Sequence, residues 1–379
     1  MSAAARSERL RWAVGLLFLG LGLAFALNPR RCIDFTVFRT AGARWLAGTS
    51  LYRAEDGPMP FKYAPPVAVL LAPLALLPRS VGAVLWNLGS VALLLAALRR
   101  LPRVDPGPGE ADGSWAALAL AGPIATVLFY GQVDLWLLGL VVLAAAAGTR
   151  ARGGVALGLA VLTKPPAVFA GLFFLARRRW RAIAAGAGVV LLVCALAAAR
   201  VGPSAFTAEV SAWRGLVERS TVAWVTGPNP QGLPTLILDV AGWLGTRPDP
   251  DALWLAQLSA TLFLAALVLV VRDDAGATFR MTTLAVAMVS PLAWRANFVL
   301  ALPAVRRLVA ASRAGDVLCR AVLAGVVVAS LLTSGVLGRT TTEHLLAFRP
   351  WGLLGLLLVV VEFSAPRPAG PVRPAAPPG

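Results

Sequence analysis

Charged side chains are scarce in this chain, and their scarcity excludes an ordinary soluble domain. Lysine, arginine, aspartate and glutamate together make up 14% of the residues, whereas hydrophobic residues make up 58% and the mean hydropathy is +0.75. Soluble domains carry roughly 25% charged and 45–50% apolar residues. The composition therefore predicts an integral membrane protein that has the bilayer as its solvent.

Cysteine and histidine are rare as well. The cysteines Cys32, Cys194 and Cys319 are scattered along the chain, and His344 is the single histidine. Neither a disulfide framework nor a metal cluster is indicated by so few and so widely spaced residues. A glycine-rich phosphate loop is also missing, which disfavours a nucleotide sugar as substrate. We therefore expect no metal and no cofactor.

Acidic residues are few, 18 against 35 basic ones, and the formal net charge is +17. Such an excess suggests nucleic acid in a soluble protein, but here arginines bracket the apolar runs, which is the pattern of topogenic charges. We expect no nucleic acid partner. The clusters at Arg6 to Arg11, Arg177 to Arg181 and Arg306 to Arg320 are predicted to be cytoplasmic with both termini, whereas Arg99 to Arg103 fall outside.

Long apolar runs fill most of the chain and predict an all-α, polytopic transmembrane bundle. A crossing needs roughly 20 residues, so we predict about 12 spans, within a range of about 10 to 13. The first run is predicted to be an anchor, and the segment 232–245 to be re-entrant or interfacial. We predict one membrane domain at residues 1–363 and a disordered, Pro- and Ala-rich tail at 364–379. The runs are 12–27, 66–77, 81–98, 115–130, 135–147, 153–176, 183–199, 253–271, 281–291, 298–309, 317–337 and 351–361.

Asp34 follows the first apolar run, where a membrane helix meets the water on the far side. The apolar residues after it are spaced as in a helix that lies along the membrane face, with Phe35, Phe38, Trp45 and Leu46 on one side. A carboxylate at that boundary can take a proton from a hydroxyl group. Alternatively, Asp34 is only the N-cap of a helix that begins at Phe35.

Lys164 stands inside an otherwise apolar run and precedes Pro165 and Pro166. A cation in a broken membrane helix usually faces a cavity or a partner, and here it would neutralise the phosphate of a lipid carrier. The alternative is a lysine that extends to the nearer membrane surface. Two other candidates have simple alternatives: Gln132 belongs to a polar turn, and Tyr63 to an interfacial aromatic belt.

Several motifs occur together in an order that is similar to one enzyme family. They are an early acid at Asp34, then Ala43, Leu46, Gly48 and Tyr52, Phe-x-Tyr-x-Pro-Pro at 61–66, Gly-Gln-Val-Asp at 131–134, Lys-Pro-Pro at 164–166 and Ser-Pro-Leu-Ala-Trp at 290–294. Through these motifs most of residues 30–305 resembles the polyprenyl-phosphate-dependent glycosyltransferases of family 87, actinobacterial membrane enzymes with a helical bundle of GT-C type.

The resemblance implies a multi-pass protein of the plasma membrane with its active site on the extracytoplasmic side. It implies a polyprenyl-phosphate-linked sugar as donor, with mannose as the sugar, a lipid or glycolipid as acceptor, and membrane lipids as surroundings. Pro230 and Gly232 depart from the Asn-Gln-Ser pattern of the family, and Arg295, Ala296 and Asn297 stand where many relatives have histidines. The implied substrate-binding residues are Arg39, Tyr63, Gln132, Lys164, Asn229, Gln231, Trp294, Arg295 and Asn297.

These observations predict an inverting transfer in which Asp34 is the general base and Lys164, Arg295 and Arg39 receive the charge of the departing phosphate. Three alternatives remain open: an arabinofuranosyltransferase of the same class, a lipid or solute transporter, and a scaffold subunit without catalysis. A transporter has equal use for broken helices and an intramembrane cation. It has no need of an acid at the edge of a surface helix.

Overall fold

The computed structural model describes residues 2–57, 59–107, 109–148, 151–245 and 249–364, and every regular element in these ranges is helical. The all-α prediction is confirmed. The predicted disordered tail lies outside the described residues except for Ser364. Three 3-10 helices span Ala54–Asp56, Pro165–Phe169 and Arg295–Ala301. The α-helices are α1 Ala3–Leu27, α2 Ile33–Ala47, α3 Pro65–Ala75, α4 Arg79–Val104, α5 Glu110–Ala119, α6 Ala121–Tyr130, α7 Asp134–Ala146, α8 Ala151–Thr163, α9 Ala170–Ala176, α10 Trp180–Val201, α11 Pro203–Val225, α12 Leu233–Trp243, α13 Pro250–Val270, α14 Ala275–Met288, α15 Leu302–Arg313, α16 Val317–Ser330, α17 Ser334–Leu337, α18 Arg339–Leu346 and α19 Pro350–Ser364.

Four of these helices, α1, α4, α10 and α13, are long and apolar enough to cross a membrane. The pairs α5 with α6 and α18 with α19 are bent by 65° and 44°, and they raise the number to six if each pair is one span. The predicted count of 12 is not confirmed, because most other apolar helices have 10 to 17 residues. At 1.5 Å per residue, such helices are too short to cross roughly 30 Å of hydrocarbon alone. Helix α12, in the segment predicted not to cross, has 11 residues.

Helices α1 and α4 lie antiparallel, and this corrects the predicted position of one arginine cluster. Arg99, near the C-terminal end of α4, forms an ion pair of 3.1 Å with Glu8, near the N-terminal end of α1. Arg99, Arg100 and Arg103 therefore lie at the same end of the bundle as the N-terminal arginines. The prediction that the two clusters lie on opposite sides of the membrane is wrong.

The reason is that the apolar run at residues 66–77 does not separate the two clusters by a crossing. It forms the short helix α3, which packs so closely on α2 that a Cβ atom on Gly42 would lie 2.5 Å from the carbonyl oxygen of Leu71. The apolar side of α2 is buried within the protein, since Phe35, Phe38 and Trp45 are at most 8% exposed. The prediction that this face lies on the membrane is therefore not confirmed, although Leu46 on the same side is 44% exposed.

The run at residues 153–176 is a hairpin rather than the single span predicted. A Cβ atom on Gly153 would lie 2.8 Å from the carbonyl oxygen of Ala144, and Arg179 donates a hydrogen bond of 2.9 Å to the carbonyl of Ala145. Both ends of the run therefore lie beside the C-terminal end of α7. Lys164 is the residue at the turn, directly before the second 3-10 helix.

Buried ion pairs lie at one end of the bundle, here called the ionic end. Arg280 pairs with Asp105 and, at 2.8 Å, with Glu362, and Arg306 donates to the backbone carbonyl of Asp105. Arg306, one of the arginines predicted to be cytoplasmic, is completely buried at this end. The opposite end, here called the pocket end, carries Asp34.

Candidate active site

A cavity of about 480 Å³ opens at the pocket end and is here called the polar cavity. The start of α2, the loop before α3, the turn at Lys164, helix α11 and the segment 290–294 form its walls. Six of the ten predicted site residues line it. They are Asp34, Tyr63, Gln132, Lys164, Asn229 and Trp294.

Asp34 lies in the first turn of α2 and does not cap the helix. The helix begins at Ile33, and its N-cap is Cys32, whose side chain makes no capping hydrogen bond. The structure therefore excludes the interpretation of Asp34 as a simple N-cap. Val37 and Phe38, three and four residues further on, line the polar cavity with Asp34 because those positions share one helix face.

The carboxyl group of Asp34 is poised to exchange a proton near neutral pH. Burial raises its pKa to about 6, and the hydrogen bond with Gln132 is the largest influence that opposes the rise. The negative charge of Asp134 raises the pKa further, whereas the positive charges of Lys164 and Lys62 lower it. A base with a pKa close to the working pH is well suited to general base catalysis.

Gly131 and Asn87 hold this corner of the site in place. Gly131 ends α6 with φ +69°, and a Cβ atom there would lie 2.8 Å from the Cβ of Phe35. Asn87, buried in α4, donates to the carbonyl groups of Gly22 and Leu128 at 2.9 and 3.1 Å. Gly131 thus packs the end of α6 against the first turn of α2, and Asn87 ties α4 to α1 and α6.

We expect Gly131→Ala to destabilise the protein by about 1–3 kcal/mol, because it adds a strained backbone conformation and an overpacked contact with α2. Transfer activity should fall as well, since Phe35 directly follows Asp34 in the first turn of α2. Thermal unfolding of the purified protein in detergent measures the first effect. Gly171→Ala is the matched control, because a Cβ atom there meets nothing within 4 Å. Equal stability of the two variants would contradict the argument.

Lys164 is not a lone cation. Its ammonium group lies 2.8 Å from a carboxylate oxygen of Asp134, which is completely buried, and 3.2 Å from the side-chain oxygen of Asn297. The same oxygen of Asn297 accepts a hydrogen bond from the backbone of Trp294. Asn297 does not line the polar cavity, but through these bonds it joins Lys164 to the wall at Trp294.

Lys62 lines the polar cavity and was missed by the sequence analysis. Its ammonium group lies 5.2 Å from the centre of the Trp224 ring, and its backbone carbonyl accepts a hydrogen bond of 3.0 Å from Trp213. Burial lowers the pKa of Lys62, and the negative charge of Asp34 opposes that effect. The sequence does contain one indication of Lys62, since the chain has only two lysines and both line this cavity.

The turn at residues 227–232 brings Asn229 to the polar cavity but keeps Gln231 out of it. Gln231 is completely buried and donates to the carbonyl groups of Pro228 and Leu346, so its role is structural. The buried Arg349, also missed by the sequence analysis, donates to the carbonyl groups of Gly227 and Pro230. This arginine fixes the turn that presents Asn229.

The two arginines predicted to receive the phosphate charge do not reach the polar cavity. Arg39 lies on another face of α2 and donates a hydrogen bond of 3.1 Å to the carbonyl of Leu77. Arg295 donates one of 2.7 Å to the carbonyl of Leu332. Neither lines the cavity, so both predictions need correction. Among the described residues, the cations that line it are Lys62 and Lys164.

A second, apolar cavity of about 350 Å³ adjoins the first and is here called the apolar groove. The two share Phe38 and Tyr63, and the groove continues along Leu70, Leu74 and Trp136. A site with a base, cations and an apolar extension can deprotonate a hydroxyl group and bind an anion attached to a long hydrocarbon chain. Among the described residues, no three His, Cys, Asp or Glu side chains are grouped so as to hold a metal ion.

The chain is similar in sequence to known mannosyltransferases. The chain is 32% identical over 249 residues to the polyprenol-phosphate-mannose-dependent alpha-(1-2)-phosphatidylinositol pentamannoside mannosyltransferase of Mycolicibacterium smegmatis, a match that covers 57% of this chain and 60% of the relative. It is 29% identical over 339 residues to the polyprenol-phosphate-mannose-dependent alpha-(1-2)-phosphatidylinositol mannoside mannosyltransferase of Mycobacterium tuberculosis, which covers 79% and 76%. The chain thus spans about 60% of the first relative's length.

No solved structure matches the chain. The sequence model of glycosyltransferase family 87, however, matches residues 61–303. This stretch is more than half of the chain and holds both lysines, Gln132, Asn229 and Trp294 of the site. The match confirms the resemblance of the motifs, and we conclude that the chain belongs to glycosyltransferase family 87.

Proposed function

We propose that this protein transfers a mannosyl residue from a polyprenyl-phosphate-linked donor to a lipid or glycolipid acceptor, with inversion at the anomeric carbon. The observation that carries the proposal is that Asp34, Gln132 and both lysines meet in one cavity beside an apolar groove. The names of the two relatives support the donor, and they support a phosphatidylinositol mannoside as the class of acceptor.

Asp34 would act as the general base of the transfer. An acceptor hydroxyl attacks the anomeric carbon on the face opposite the phosphate, its proton passes to Asp34, and the bond between the anomeric carbon and the phosphate oxygen breaks. The electron pair of that bond remains on the departing lipid phosphate, whose charge the cations of the cavity stabilise. Gln132 holds the Asp34 carboxylate by its hydrogen bond.

The apolar groove would hold hydrocarbon of a lipid-borne substrate. Its walls are almost entirely apolar, and it opens beside Tyr63, which also lines the polar cavity. A polyprenyl chain in the groove would keep its phosphate in the cavity, at the same distance from the base in every turnover. Because the bound donor is already positioned, the transfer step itself loses less entropy.

We propose that the pocket end faces the extracytoplasmic side of the cell membrane and the ionic end the cytoplasm. Arginine clusters at the ionic end support this orientation, including Arg99 and Arg100, which the structure brings beside the N-terminal helix.

Cysteine labelling tests the orientation. In a chain whose three native cysteines are replaced by alanine, Arg53→Cys and Arg100→Cys introduce single thiols at exposed positions near opposite ends. A membrane-impermeant maleimide added to intact cells should label Arg53→Cys and leave Arg100→Cys unlabelled until the cells are permeabilised. Labelling of Arg100→Cys in intact cells would reverse the proposed orientation.

The activity itself is tested with purified protein in proteoliposomes. Radiolabelled decaprenyl-phosphate-mannose should pass label to phosphatidylinositol mannoside, whereas decaprenyl-phosphate-arabinose and GDP-mannose should not. Label from the arabinose donor instead would indicate an arabinofuranosyltransferase. Movement of labelled donor across the vesicle membrane without any new glycolipid would indicate a transporter and contradict the proposal.

A further inference from the structure

The chain uses lysine at only two of its 35 basic positions, and both lysines line the polar cavity. Arginine supplies every other basic side chain, including those of the ionic end. The two residue types differ physically, since arginine presents a wide planar fork and lysine a compact charge on a flexible stem. A position that meets one phosphate oxygen in a confined cavity favours the compact charge.

The two lysines are not equivalent, because the charge of Lys164 is already compensated. Asp134 lies 2.8 Å from its ammonium group, and the carboxylate is completely buried. Asn297 takes a second hydrogen bond of the same ammonium. Lys164 therefore joins the turn after α8, the start of α7 and the segment after Trp294. Because Asp134 neutralises its charge, Lys164 attracts an anionic ligand only weakly.

The charge of Lys62 is less compensated, because the negative charge of Asp34 acts on it only from a greater distance. In the described part of the chain, no carboxylate lies within ion-pairing distance of it, and its ammonium group rests over the ring of Trp224. Its backbone carbonyl accepts the hydrogen bond from Trp213, which ties the loop before α3 to α11. A charge over an aromatic ring is held more weakly than one that is paired with an anion.

We infer that Lys62 is the residue that binds the phosphate of the lipid-borne donor and receives its charge as the sugar departs, whereas Lys164 is a positioning residue. This inference rests on the proposed function. In the transfer step, the acceptor oxygen bonds to the anomeric carbon, the bond to the phosphate oxygen breaks, and the acceptor proton goes to Asp34. Lys62 stays protonated throughout and donates a hydrogen bond to the oxygen that keeps the electron pair.

The small number of lysines makes a direct binding measurement possible. Reductive methylation with ¹³C-formaldehyde keeps the charge of each lysine and gives two lysine methyl resonances, which are assigned with Lys62→Arg and Lys164→Arg. Addition of decaprenyl phosphate should shift the Lys62 resonance and raise the pKa read from its titration. Decaprenol, which lacks the phosphate, should leave the resonance in place.

A shift at Lys164 with none at Lys62 would overturn the inference and leave the proposed transfer intact. A shift at neither lysine would also overturn it, and the proteoliposome assay with labelled donor then shows whether the proposed function fails too. A shift with decaprenol as large as that with decaprenyl phosphate would mean that the groove, not the phosphate, moves Lys62, which likewise contradicts the inference.

Kinetics provide the second readout. Lys62→Met should lower the rate of transfer by roughly 10²-fold, as expected when one donor to a developing negative charge is removed. Lys62→Arg should recover part of that loss, because it restores the charge but not the compact shape. Arg53→Met is the matched control, since it removes one exposed positive charge from the same loop and should change the rate by no more than about twofold. Activity of Lys62→Met equal to that of the control would contradict the inference.

Discussion

Asp34→Asn should lower the rate of glycosyl transfer by roughly 10²–10⁴-fold, the usual contribution of a general base. The amide keeps the size of the carboxylate and its place beside Gln132, but it cannot accept the proton of the acceptor hydroxyl. Folding should be almost unaffected, because Asp34 does not cap α2. The amide also removes a partly buried negative charge without leaving an ion-pair partner behind. Initial rates with decaprenyl-phosphate-mannose and the midpoint of thermal unfolding measure the two effects separately.

Glu55→Gln is the matched control for that variant. Glu55 is an exposed acid of the loop before α3 and does not line the polar cavity. Its removal changes the charge of the same loop by the same amount without touching the site. If Asp34→Asn transferred mannose within a few-fold of this control, Asp34 would not be the base.

Lys164→Met should destabilise the protein by about 3–5 kcal/mol, which is the usual cost of leaving one member of a buried ion pair without its partner. Asp134 is completely buried, and one of its two carboxylate oxygens already lacks a hydrogen bond within the described residues. The sequence alone suggested a cation whose loss would affect the donor. The structure predicts instead a large loss of stability.

The double variant Asp134→Leu/Lys164→Met should regain much of that stability, because two apolar side chains can replace a buried pair without an orphaned charge. It should not regain full activity, since Asn297 loses the hydrogen bond from Lys164 that joins the cavity wall at Trp294 to the turn after α8. Chemical or thermal unfolding of the two single variants and the double variant gives the coupling energy directly. Simple additivity of the two losses would show that the pair is not a structural unit.

The position of Asp34 illustrates how much of the site the sequence predicts. An acid after the first apolar run and the family motifs predict Asp34, Gln132 and Lys164 as parts of one site, and the structure places all three beside one cavity. Helical phase alone would have excluded Arg39, because five residues correspond to about 140° around the axis from Asp34. The family pattern named that arginine, but the backbone turns it towards Leu77.

The hairpin at Lys164 shows what the sequence could not predict. Pro165 and Pro166 indicate a break, but a kinked helix and a reversal have the same local sequence. The reversal depends on tertiary packing, in which Gly154 and Gly158 allow α8 to lie against α10. A Cβ atom on Gly154 would come 2.2 Å from the carbonyl oxygen of Ala182. Only the position of the neighbouring helix reveals that contact.

The sequence could not predict the ion pairs either, because they too depend on tertiary packing. Asp134 was recognised as part of a motif, and Arg306 as part of a basic cluster, but neither has its partner nearby in sequence. Arg306 reaches the backbone of Asp105 some 200 residues earlier. The arginine bias predicted both termini on one side, and the start of α1 and the end of α19 do lie at the same end of the bundle. The assumption that residues 66–77 cross the membrane, however, misplaced Arg99.

The pH dependence of kcat/KM for mannosyl transfer tests the central claim most directly, because it reports the protonation of the free enzyme. Asp34 must be ionised to accept a proton, so kcat/KM should rise with pH through a midpoint near 6 and then reach a plateau, following the raised pKa of the carboxyl group. In Gln132→Leu, which removes the hydrogen bond that lowers this pKa, the midpoint should move to higher pH. A profile that is flat between about pH 5 and 8, or that falls as the pH rises through this range, would contradict a role for Asp34 as the base.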